Sequence, residues 1–216
     1  MKLLCLTDLH GDERQLHAIM QDAGPVDLLL LGGDLTNFGT PNQAEQLVRI
    51  AMQTCPHVLA VAGNCDSPEI DERLHALGIS LFRRGIVREN TGFYGVSAMP
   101  PWLGTMYELP EAEIAAALAT GRAQLSNVAR RVVVSHPPPR DCQLDLTHRG
   151  DHVGSVAVRE EIDASQPALV VCGHIHEARG AETMGRTVVV NCGPACQGNY
   201  ALITLNDHVA YDLRTA

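Results

Sequence analysis

Positive charge is scarce in this chain. Sixteen Lys and Arg stand against 25 Asp and Glu, a formal net charge of −9 over 216 residues. That balance argues against stable nucleic-acid binding, which depends on cations neutralising phosphates. A small phosphorylated substrate stays open, because a bound metal supplies local charge that no residue count includes. Charge of either sign is also low, at 19% of residues, against roughly 25% in an average soluble protein, so a long disordered tract is not expected. No apolar run approaches the roughly 18 residues of a membrane span, and no membrane association is expected. The N-terminal apolar stretch stops at Asp8, too early for the core of a secretory signal. No repeat, low-complexity tract or linker interrupts the chain, so residues 1–216 read as a single domain. There is no C-x-x-C pair. The seven cysteines (Cys5, Cys55, Cys65, Cys142, Cys172, Cys192 and Cys196) are odd in number and sit mostly inside apolar runs. They read as free thiols packed as small hydrophobes, which fits a reducing compartment and a cytoplasmic protein.

What is present is a series of short apolar runs, each ending in a polar cluster. Leu3–Leu6 runs into Thr7-Asp8-Leu9-His10, Val26–Leu31 into Gly32-Gly33-Asp34, and Val58–Val61 into Gly63-Asn64-Cys65-Asp66. Val132–Val134 leads to Ser135-His136, and Leu169–Cys172 to Gly173-His174-Ile175-His176. Continuous apolar runs of this length are the pattern of strands buried on both faces. Helical spacing predicts helices over Glu13–Ala23, Asn42–Met52, Glu111–Leu125 and Ser155–Ala164. Segment 79–98 reads as strands, as do Thr187–Asn191, Ala201–Leu205 and Val209–Leu213, the last two joined by a turn at Asn206-Asp207. The order βαβαβ, strands, helix, βαβ makes this an α/β protein. Two irregular loops remain, Met99–Pro110 and Pro137–Gly154.

Ligands of α/β sheets bind beyond the carboxyl ends of the strands. Here those ends carry Asp8, His10, Asp34, Asn64, His136, His174 and His176, oxygen and nitrogen donors suited to Mn, Fe or Zn rather than to Mg alone. Asp8 and His10, two apart on a segment read as extended, should face the same way, and so should His174 and His176. Glycines 32, 33, 63 and 173 would let the backbone approach a metal or phosphate closely. Any one of these groups alone could be a hydrogen-bonded strand-end residue. Five successive strand ends, each with a donor beside small residues, make a metal site the better reading.

The ordered series D-x-H, G-G-D, G-N-C-D, S-H and G-H-I-H resembles the calcineurin-like metallophosphoesterases, from Asp8 to His176. The resemblance implies a four-layer α/β/β/α sandwich of two mixed β-sheets flanked by helices, holding two divalent transition-metal ions. One ion would take Asp8, His10 and His176, the other Asn64, His136 and His174, with Asp34 bridging. Hydroxide generated between the two cations would attack a phosphoester, with no covalent enzyme intermediate. Two departures narrow the substrate. Many relatives carry histidine after the Asn ligand, as proton donor to the leaving oxygen, where this chain has Cys65. The Asp-Arg-Gly segment of the protein phosphatase branch is replaced by Leu35-Thr36-Asn37-Phe38-Gly39. The Cys-containing version is similar to the small bacterial and archaeal phosphodiesterases of this superfamily.

The expected partner is therefore a small phosphoester, with a homo-oligomer left open. A phosphomonoesterase or nucleotide pyrophosphatase on the same site is the alternative, and a non-catalytic metal-binding scaffold a third. A thiol is a weak hydrogen-bond donor, so Cys65 points to diesters or to acidic leaving groups. The competing expectation is that His148 or His152, in the loop after His136, supplies the proton. Arg140 and Arg149 could meet a phosphate. Asn191 could line the mouth or make a turn, and Trp102 and Tyr107 could stack on a base or anchor their loop.

Overall fold

The computed structural model describes all of residues 1–216. Eleven strands form two sheets. In the first, β1 (Lys2–Leu6), β2 (Leu28–Gly32) and β3 (Val58–Val61) run parallel, and β10 (Asn199–Leu205) pairs antiparallel with β1 and carries β11 (Val209–Thr215) on its outer edge. In the second, β5 (Thr91–Val96), β6 (Arg130–Ser135), β7 (Leu169–Cys172) and β9 (Thr187–Asn191) are parallel, with antiparallel edges β4 (Ile86–Arg88) and β8 (Gly180–Met184). Side chains alternate across each sheet, as the period of an extended chain requires. Leu3 and Cys5 of β1 point into the space between the sheets, with Leu28 and Leu30 of β2 and Phe93, Val132, Val134, Leu169 and Val171 from the opposite side. Their neighbours Leu4, Leu6, Leu29 and Leu31 face outward, onto α1 (Glu13–Ala23), α2 (Pro41–Thr54) and α3 (Pro68–Ala76). On the far side Tyr94, Val133 and Val170 pack under α4 (Glu111–Ala123) and α5 (Val156–Ser165). The layering is α/β/β/α, and β2, β3 and β7 are apolar throughout because both of their faces are covered.

Local chemistry starts the helices. Asp12 accepts from Gln15 N to cap α1, Thr40 and Gln43 form a reciprocal capping box ahead of Pro41 in α2, and Ser67 and Ser155 cap α3 and α5. Pro110 offers no capping side chain to α4. The first residue of that helix, Glu111, instead accepts from Ser155 Oγ and from the backbone N–H groups of Val156 and Ala157, joining the start of α4 to that of α5. Two elements escape the spacing argument. Helix α3 presents only Ile70 and Leu74 as buried apolar residues and also buries Asp71, so its stripe is too thin to read. Strand β8 is an edge with one buried residue, Met184. No helix is long and apolar enough to cross a membrane, and all seven cysteines are free.

Candidate metal centre

The carboxyl ends of β1, β2, β3, β6 and β7 meet along one edge of the two sheets, and the polar clusters converge there. Asp8, His10 and His176 bring one ligand atom each within 4.8 Å of one another, as do Asp8, Asp34 and His136, and His10, Asp34 and Cys65. Asp34 stands between the two halves. His10 Nε2 lies 3.8 Å from its Oδ2, and His136 Nε2 lies 3.5 Å from its Oδ1. His176 Nε2 is 3.3 Å from Asp8 Oδ1, and the His136 and His174 rings sit 5.1 Å apart. All seven donors expected from the sequence are brought into this one region.

The backbone delivers them by a different route from the one expected. Asp8, His10, Asp34 and His174 lie in the left-handed region, with φ of 56°, 48°, 49° and 66°. The D-x-H and H-x-H pairs therefore do not share a face of extended chain. They sit on turns just past the strand ends, with Asp8, His10 and His174 each held at a cost of order 1 kcal/mol or more that the surroundings offset. Asp8 N–H donates to Gly33 O, His10 N–H to Asp34 O and Gly11 N–H to Leu35 O, so the turns after β1 and β2 run side by side. The glycines also make room for ligand side chains. A Cβ on Gly63 would strike the Asp34 carboxylate, and one on Gly173 would strike Asp8 and Thr7.

The fit of a cation to these residues can be judged from lone pairs. His136 Nδ1 lies 3.0 Å from Gly32 O, a contact in which the ring nitrogen must be the donor. In the neutral ring Nε2 is then a bare acceptor, yet it faces Asn64 Oδ1 at 2.8 Å and Asp34 Oδ1 at 3.5 Å, acceptors as well. The Asn64 amide nitrogen is turned away, towards Cys65 Sγ and Met106 Sδ. Three acceptors aimed at one point repel unless a cation or a proton lies between them. Burial, and then the neighbouring His136, push the His174 pKa down to about 3, so its ring stays neutral and able to ligate at any ordinary pH. Burial would raise the Asp8 pKa, but the hydrogen bond from His176 and the charges of His136 and His176 outweigh it and hold Asp8 ionised. The donor set fits a divalent cation by its own chemistry.

Residues beyond the ligands set its shape. Asp66, the last residue of G-N-C-D, accepts from Leu35 N, Thr36 N, Thr36 Oγ1 and Gly63 N, tying the turn after β2 to the turn after β3. Asn191 at the end of β9 donates to Ile175 O at 2.9 Å and accepts from Gly193 N, so it does turn chemistry that also holds the loop between His174 and His176. The Cys65 backbone N–H donates to Asp34 Oδ1 at 2.7 Å, while burial and the adjacent Asp34 push its thiol pKa far up. A cavity of about 770 Å³ leads outward from Asn64 and His174. Its lining combines apolar residues, among them Met99 and Trp102, with the cationic Arg140 and Arg149, the imidazoles of His148 and His152, and the carboxylates of Glu111, Asp151 and Glu177. Of the two loop aromatics, Tyr107 is the anchor, its hydroxyl donating to buried Asp71, whereas Trp102 is 68% exposed at the mouth. The role of Asp145, buried under His152, had no signal in the sequence beyond a carboxylate in a long loop.

Comparison with known proteins points the same way. A family model described as the calcineurin-like phosphoesterase superfamily domain matches residues 1–208. An uncharacterized protein of Methanocaldococcus jannaschii is 33% identical over 201 residues, covering 90% of this chain and 88% of its own. A crystal structure of a Thermus thermophilus protein superposes with a TM-score of 0.77 at 19% identity, covering 99% of this chain and 98% of that one. Phosphopantetheinyl hydrolase from Mycobacterium tuberculosis superposes with a TM-score of 0.64 at 14% identity, covering 90% of both chains. The two structures share the fold.

Proposed function

Because the chain belongs to the calcineurin-like phosphoesterase superfamily, we propose that it is a dinuclear-metal phosphodiesterase acting on a small phosphodiester. The observation that carries this reading is the placement of Asp34, whose two carboxylate oxygens face histidines from opposite halves of the site, His10 and His136. Asp8, His10 and His176 with Asp34 would hold one cation, and Asn64, His136 and His174 with Asp34 the other. Two such ions would supply Lewis acidity and positive charge at the phosphoryl oxygens of the substrate. The chain itself fixes the ligand geometry. Gly32 O selects the His136 tautomer, the Cys65 N–H orients Asp34, and the neutral His174 needs no proton removed before it binds.

Two features favour a diester over a monoester. The residue after the Asn ligand is a protonated thiol instead of an imidazole, so the ligand turns themselves offer a monoester's leaving oxygen no good proton donor. The cavity, about 770 Å³ and lined by both apolar and charged side chains, also offers room for organic substituents on the phosphoryl group. Protein reconstituted with excess Mn²⁺ should bind about two ions per chain, and Asp34→Asn should lose both together. Its kcat/KM for a bis-aryl phosphodiester should exceed that for the aryl monoester. Uptake of a single ion by well-folded protein overturns the dinuclear assignment, and the reverse substrate ranking overturns the diester.

A further inference from the structure

Outside the ligand set, one cavity residue is built like a working acid. His152 Nδ1 lies 2.6 Å from Asp145 Oδ1. Asp145 is fully buried, and its remaining lone pairs accept from the backbone N–H groups of Asp141, Cys142 and Gly154. A carboxylate so saturated has one orientation, and it fixes both the ring plane of His152 and its tautomer, with the proton on Nδ1 and Nε2 on the opposite side. The His152 side chain is 35% exposed and lines the same cavity as Asn64 and His174. His148, by contrast, is tied through its backbone N–H to Glu177, at 3.1 Å, and its ring takes no part in that bond.

We propose that His152, oriented by Asp145, is the catalytic residue that protonates the leaving oxygen, in place of the imidazole that Cys65 replaces. The step rests on the phosphodiesterase reading above. As the attacking water oxygen bonds to phosphorus, the bond from phosphorus to the departing oxygen breaks and its electron pair stays with that oxygen. The oxygen takes the proton from Nε2 of the His152 imidazolium and leaves as an alcohol. Water has lost one proton to solvent, and solvent returns one to His152. The groups that set its charge are on the same loop and its neighbours. Asp145 and Asp141 favour the imidazolium and Arg140 opposes it, while partial burial works against it as well. Of the other charges around the cavity, Glu111 is occupied by the start of α5 and Glu177 by His148 N–H, leaving Arg149 and Asp151 on the exposed part of the loop.

The test compares an aryl and an alkyl phosphodiester on Mn²⁺-loaded wild type, His152→Gln and His148→Gln, with NMR titration of the histidine rings in metal-free protein. His152→Gln should lose about 100-fold or more on the alkyl ester and less than about threefold on the aryl ester, with metal content unchanged. His148→Gln should show no such split. His152 should titrate above 6.5, and Asp145→Asn should bring it down. Equal losses on both esters with wild type active overturn the proposal alone, as does a His152 titration that ignores Asp145→Asn. Wild type inactive on both esters overturns the phosphodiesterase reading together with it. Should His152→Gln shed metal or unfold, the wild-type profiles decide. The alkyl-ester rate must fall above the NMR pKa of His152 while the aryl-ester rate holds, and superimposable profiles overturn the proposal.

Discussion

Cys65 shows how a single position can matter through its backbone while its side chain stays silent. Its N–H grips Asp34 Oδ1, and its thiol, buried beside that carboxylate, keeps its proton. Cys65→Ala preserves the N–H and removes a group that donates weakly. It should therefore leave metal content intact and change kcat on an alkyl phosphodiester by less than about threefold, since no proton relay is lost. A loss of 100-fold with full metal occupancy would make the thiol a participant. The contrast with Asp34 is instructive, because there the side chain itself joins the two halves of the site. Asp34 was readable from G-G-D. The left-handed backbone that presents it was not, because a single φ leaves no periodic trace in a sequence.

At the scale of elements, apolar runs and their polar endings were legible, because a strand buried on both faces has to be apolar throughout and a ligand has to sit where the strand stops. Strands β1, β2, β3, β6 and β7 and all seven donors followed from that rule. What was not legible depends on pairs of distant residues. Helix α3 is one case, since Asp71 occupies its inward face and interrupts the apolar stripe. That carboxylate accepts from Ser97 Oγ and Tyr107 OH, and Tyr107 N–H in turn donates to Asn64 O, so α3 steadies the Met99–Pro110 loop against a ligand turn. Burial raises the Asp71 pKa to about 7, against the lowering effect of those two hydroxyl donors. The folded chain thus holds this proton more tightly than the unfolded one. The resulting stability is complete below about pH 4 and is lost as pH rises through about 7. Asp71→Asn removes the titration while keeping an acceptor for both hydroxyls. In metal-free protein, denaturant unfolding should show the variant gaining on wild type by on the order of 4 kcal/mol between pH 4 and 8. A difference that stays flat across that range would place the Asp71 pKa in its ordinary region.

For the whole molecule, the two sheets bring their parallel strand ends to one edge, and the charges gathered there make folding, proton binding and metal binding compete. The hydrogen bond to Asp8 raises the pKa of His176, against partial burial, so metal-free protein keeps a proton on this ring above the ordinary 6.5. The ion pair it forms stabilises the metal-free fold at low pH, and that contribution is lost as pH rises through the raised pKa. A cation at Asp8, His10 and His176 must displace the proton, whereas one at His174 displaces none, because that ring is already neutral. Metal binding should therefore release more than half a proton per chain near pH 6.5 from this residue, on the order set by its raised pKa, and progressively less towards pH 8.5. The rise in Tm on adding Mn²⁺ should grow over the same interval. Calorimetric titrations in two buffers of different ionisation enthalpy measure the release directly, and His176→Ala should remove the part that varies with pH. If release at pH 6.5 equals that at pH 8.5, or survives His176→Ala unchanged, the proton resides elsewhere and the Asp8–His176 pair does not gate the metal.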